Sequence, residues 1–137
     1  MESKKNLILI TLLICFFFNC CVTKNDISGI YLNTINKTSN IDTIKIYKNG
    51  TYERFIYDKL NKKLIFKNKG VWKYNESKVI LEDFLENYGG YSFENKKEDY
   101  DAYLITYFFS VEHSVNGLCL NFNEKMNHYF CKVGDIP

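Results

Sequence analysis

Proline is all but missing from this 137-residue chain, the only one being Pro137. Proline is one of the usual guards on exposed sheet edges, so a β-rich chain without it is best served by closure into a barrel, which leaves no edges. Arginine is equally scarce: of 18 basic residues only Arg54 is not lysine. The formal charge is +2, and taking away residues 1–19 removes two lysines and one glutamate to leave +1. A near-neutral chain excludes electrostatic steering toward nucleic acid.

Catalytic signatures are missing too. There is no Gly-x-Ser-x-Gly elbow, no glycine-rich phosphate loop and no His-Glu-x-x-His helix, so no enzyme and no cofactor is expected. No Cys-x-x-Cys occurs and His113 and His128 are the only histidines, which leaves no set for a zinc site. Glu98, Asp99 and Asp101 are dense in charge but lack the glycine turn and distal glutamate of a calcium loop, and read as a solvated loop face. Glu82, Asp83 and Glu86 read as carboxylates that keep an edge soluble.

Long hydrophobic runs are absent except at the start. Lys4 and Lys5 precede an apolar stretch from Leu7 to Phe18. About 12 residues cannot cross a hydrocarbon core of ~30 Å, so residues 1–19 read as a secretory signal. The stretch ends in Phe17-Phe18-Asn19-Cys20-Cys21, which resembles the lipobox of bacterial lipoproteins. That resemblance implies lipidation at Cys20, with Cys21 as the alternative, since Asn19 is larger than the residue usual before the modified cysteine. It also implies a cell-envelope location, at the outer membrane or cell surface. Residues 20–28 then form a lipidated tether, and residues 29–137 a single domain.

What is abundant is β-formers. Phe and Tyr number 11 each, although Lys, Asn, Ile, Tyr and Phe all use AT-rich codons, so aromatic wealth alone does not define a binding surface. Strands are expected from Gly29, then from Ile41 to Lys48 and Thr51 to Tyr57 around Asn49-Gly50, the strongest short hairpin signal. Taken as a two-residue loop, Asn49-Gly50 sets Tyr47 opposite Tyr52 and Ile44 opposite Phe55. Further strands follow over Lys63–Tyr74, with Gly70 marking a bulge or bend, then Lys78–Leu85, Tyr100–Val111, Leu118–Phe122 and His128–Val133. Only Val79–Tyr88 admits a helical alternative. Residues 86–99 form the longest irregular segment.

About eight strands and no sustained helical period predict an all-β fold: a small antiparallel up-and-down barrel, with an open or two-sheet arrangement as the rival. The order Gly29-Ile30-Tyr31, Tyr47-Lys48-Asn49-Gly50-Thr51-Tyr52, Gly70-Val71-Trp72 and Val79-Ile80-Leu81 resembles small bacterial lipoproteins with a lipocalin-like domain. That resemblance implies a small hydrophobic ligand inside the barrel. The alternative is an envelope interaction module, a scaffold, immunity factor or inhibitor, whose interior is filled by side chains such as Phe66, Trp72 and Phe108.

Cys119 and Cys131 fall in the last two expected strands, and their midpoint coincides with the centre of the 123–127 turn. They are expected to face each other and to form a disulfide in an oxidising compartment.

Overall fold

The computed structural model describes residues 22–34, 40–85, 104–115, 117–123 and 128–136. The leader, Cys20 and Cys21, and residues 86–103 with Glu86, Glu98, Asp99 and Asp101 lie outside the described residues.

A four-residue helix, α1 (Lys24–Ile27), precedes eight strands: β1 (Gly29–Asn33), β2 (Asn40–Ile46), β3 (Thr51–Asp58), β4 (Leu64–Asn75), β5 (Lys78–Leu85), β6 (Leu104–Ser114), β7 (Gly117–Asn123) and β8 (His128–Gly134). Each strand pairs with the next, and β8 pairs antiparallel with β1 to close the barrel. Where a helix over Val79–Tyr88 was the alternative, the described part is strand: Lys78–Leu85 is β5, whose Val79 and Leu81 are buried at a two-residue spacing.

The β2–β3 hairpin forms at Asn49-Gly50, but its register is one residue away from the expected one. Tyr47 donates its N–H to Thr51 O at 2.9 Å, Gly50 donates to Tyr47 O at 3.2 Å, and Gly50 has φ +88°. This is a three-residue loop ending in a left-handed glycine. Ile46 therefore faces Tyr52, and Ile44 faces Arg54 where Phe55 was expected. Since side chains alternate, a slip of one exchanges the two faces of a strand. Tyr52, Arg54 and Ile56 point inward, and Glu53, Phe55 and Tyr57 outward.

Gly70 answers a close approach. A Cβ at this position would run into the Glu82 carbonyl and the Tyr52 ring. The irregularity expected near it lies across the ladder, between Leu81 and Phe84 of β5, where Asp83 has φ +59°. Tyr52 Oη donates to Glu82 O at 2.8 Å and Asn68 Nδ2 to Asp83 O at 2.6 Å, so side chains from β3 and β4 hold two successive carbonyls of the bulge.

Inside, Tyr31, Ile44, Ile46, Tyr52, Trp72, Leu81, Phe84, Phe109, Leu120, Phe122 and Phe130 belong to one buried cluster. Eight strands enclose an interior just wide enough for side chains to fill or for one small ligand. Phe66 is buried in a second, smaller cluster with Ile56 and Leu85. Phe108, expected inside, faces outward and is 57% exposed, because its neighbour Phe109 takes the inward position.

Candidate functional site

Three features stand apart from ordinary barrel packing: a charge pair inside, a helical plug at one end, and a bridged cysteine pair on the wall. At the centre of the first is Arg54, the largest fully buried side chain among the described residues. Its Nε donates to Asp42 Oδ1 at 2.9 Å and its Nη2 to Asp42 Oδ2 at 2.5 Å. Nη1 donates to the Leu85 carbonyl. The guanidinium also lies 4.3 Å from the centroid of the Phe84 ring. A planar fork meeting a carboxylate with two parallel bonds is the strongest form of this ion pair. Strand alternation is what sets the two together, because β2 points Asp42, Ile44 and Ile46 inward while β3 points Tyr52, Arg54 and Ile56.

Around this pair the interior is aromatic. Phe84 meets Phe109 edge-on at 5.2 Å, and Tyr107 stacks on Phe122 at 4.8 Å. Burial raises the hydroxyl pKa of Tyr31 and of Tyr52 well above the ordinary tyrosine value. Both hydroxyls therefore remain neutral donors, to Ile27 O and Glu82 O respectively. Nothing in this set provides a nucleophile with a base beside it. Among the described residues no group of three or more His, Cys, Asp or Glu side chains is arranged to hold a metal ion.

The plug comes from residues expected within the tether. Residues 22–28 are part of the domain: α1 seats fully buried Ile27 in the core, with Val22 packed against it. Thr23 N and Oγ1 both donate to Asp26 Oδ2, at 2.8 and 2.6 Å, a capping arrangement that fixes the helix start. These bonds hold the Asp26 carboxyl below its ordinary pKa. The barrel grips the segment through Tyr31 Oη to Ile27 O at 2.6 Å, Lys132 Nζ to Asp26 O at 3.0 Å and Tyr74 Oη to Val22 O at 3.2 Å. Lys24 Nζ lies 5.4 Å from the centroid of the Trp72 ring.

Cys119 and Cys131 are directly opposed on β7 and β8, with their sulfurs 2.08 Å apart, at disulfide-bonding distance. They lie on the outer side of the wall, since the alternate residues Leu118, Leu120 and Phe130 belong to the interior cluster. Of the acids weighed above, Glu82 pairs with Lys73 at 2.6 Å and Asp83 occupies the bulge. His113 is exposed, and the His128 side chain lies outside the described residues. On the outer wall, Lys45 and Lys67 stand 5.2 and 4.9 Å from the Phe55 ring centroid. Glu53 accepts from Tyr47 Oη at 2.8 Å and pairs with Lys67 at 3.1 Å. The Tyr47 bond, then Lys67, lowers the Glu53 pKa.

Two elements escaped the sequence reading. Arg54 carried a signal, being the lone arginine at an alternating apolar position, and Thr23-x-x-Asp26 is a helix-start signature. The whole therefore defines a closed eight-stranded up-and-down barrel with a salt-bridged interior. Comparison with known protein families, with curated proteins and with solved structures finds no match for the chain.

Proposed function

We propose that this protein is exported, anchored by a lipid at Cys20 or Cys21, and acts as an envelope interaction module, a scaffold, immunity factor or inhibitor that meets a protein partner through its outer surface. The observation that carries this reading is the occupied interior. The Arg54–Asp42 pair and the rings of Phe84, Phe109, Phe122 and Phe130 take up the space where a hydrophobic ligand would lie in a lipocalin-like protein. Exposed Phe108 and Val133 and half-buried Ile80, which is paired with Phe108, offer apolar contacts on the outside.

Two measurements test the reading. Incorporation of a labelled fatty acid, lost when Cys20 and Cys21 are both replaced by serine, tests the anchor. A photo-crosslinking residue at position 108 or 60, used in the cells that make the protein, is expected to give a discrete adduct with one protein. No adduct at either position, together with one co-purified lipid per barrel in native mass spectrometry, would reverse the choice in favour of the ligand carrier.

A further inference from the structure

We infer that the barrel stands on the membrane with its α1 end against the lipid surface, so that the opposite end is the one presented to a partner. The inference rests on the lipid-anchor reading and deepens it. A residue of extended chain spans at most ~3.6 Å, so a lipid at Cys20 or Cys21 is rooted within roughly 7 Å of Val22. Val22 is no free tether: its carbonyl is held by Tyr74 and its side chain packs on the core. Helix α1 behind it is held by Tyr31 and Lys132. The chain therefore has no slack in which the domain could swing.

Strand direction then decides what lies at each end. Strands β2, β4, β6 and β8 run toward α1, as Gly29 pairs with Ile46 and Tyr74 reaches Val22. The β2–β3, β4–β5 and β6–β7 connections accordingly share the α1 end. The β1–β2, β3–β4, β5–β6 and β7–β8 connections leave from the other end. A strand of seven or eight residues, at ~3.3 Å per residue and a tilt of about 40°, sets that other end roughly 20 Å further from the lipid.

Two exposed turn residues report on the two ends: Val115 at the α1 end and Leu60 at the opposite one, 101% and 87% exposed. The full lipidated chain would be purified with Val115→Trp or Leu60→Trp and reconstituted into phosphatidylethanolamine–phosphatidylglycerol vesicles doped with a nitroxide-headgroup lipid. With the shared Trp72 emission subtracted, quenching of the new tryptophan is expected to be several-fold stronger for V115W than for L60W. Inserting twenty Gly/Ser residues between Cys21 and Val22 is expected to abolish the difference. Equal quenching in chains that float with the vesicles overturns the orientation and leaves the anchor standing. Failure to float removes the anchor reading and the orientation with it. Hydrogen exchange of the unsubstituted chain gives an independent readout. Added protection on vesicles is expected at 47–50 and 76–77 and not at 59–63, and the reverse pattern would refute the orientation.

Discussion

Removing one member of the interior ion pair is predicted to be far worse than removing both. The Arg54 side chain is 2% exposed and that of Asp42 10%. Asp42→Ala leaves two guanidinium N–H groups without an acceptor and a positive charge without its partner, among buried aromatic and aliphatic side chains. Breaking a buried pair from one side costs about 3–5 kcal/mol, a large share of the 5–15 kcal/mol typical of a whole domain. Arg54→Met strands Asp42 and the Leu85 carbonyl instead and is predicted to be destabilising in the same sense. The double variant Asp42→Leu/Arg54→Met removes both charges and fills the space with apolar groups. It is expected to lie near the wild type or up to a few kcal/mol above it. Urea denaturation of the four proteins at one pH closes the cycle. A cost for Asp42→Ala below about 1 kcal/mol, the value of a solvent-exposed pair, or a double variant as unstable as the sum of the singles, would refute the reasoning.

Three further expectations are independent of that cycle. Gly70→Ala drives a methyl into the Glu82 carbonyl and the Tyr52 ring and is predicted to cost about 1–3 kcal/mol, read as a lower urea midpoint; an unchanged midpoint would mean that the bulge yields freely. Tyr31 and Tyr52 have raised hydroxyl pKa values in the folded barrel, whereas in the unfolded chain each loses its proton near pH 10. Their contribution is thus complete below about pH 10 and declines as pH rises beyond it, by about 1.4 kcal/mol per pH unit for each tyrosine. Tyr31→Phe should leave the slope unchanged below about pH 9 and lower it by an amount that approaches one proton as pH rises from about 10 to 11, and an unchanged slope in that upper range would count against burial of its hydroxyl. For Cys119 and Cys131, twelve residues apart in sequence, intact mass is expected to rise by about 2 Da on reduction. The accompanying loss of stability should be about 3 kcal/mol, the value for a loop of this length. An unchanged mass would show two thiols.

The strands, their order and the opposition of Cys119 and Cys131 were legible in the sequence because each rests on a local signal: period-two alternation, turn residues, or a midpoint; closure followed from composition, since a β-rich chain with so little proline has few other guards for its edges. The content of the interior was not, and one hairpin shows why. Asn49-Gly50 announces a turn with equal force whether the loop has two residues or three, yet the choice decides which face of β3 is buried. A two-residue loop would have turned Phe55 inward and left the lone arginine on the surface, the usual site of a charged side chain. The three-residue loop turns Arg54 inward, where it is tolerable only because Asp42, from the neighbouring strand, falls within reach in that register. The loop length and the ion pair are therefore one feature. With Tyr52 and Ile56 on the same face as Arg54, and Glu53 and Tyr57 on the face of Phe55, apolar patterning chooses weakly between the registers. The bidentate pair adds what the pattern lacks: a one-residue slip would expose Arg54 and bury Glu53, a carboxylate opposite no arginine. This gives the charge pair a role in fixing register that an apolar pair of equal volume would not have, a use for which buried polar groups are best attested. In the double apolar variant, the paired register of β2 and β3, read from cross-strand amide contacts in NMR spectra, is accordingly expected to become heterogeneous even where the urea midpoint is unchanged. A single wild-type register in that variant would assign the choice to the Lys48-Asn49-Gly50 loop alone.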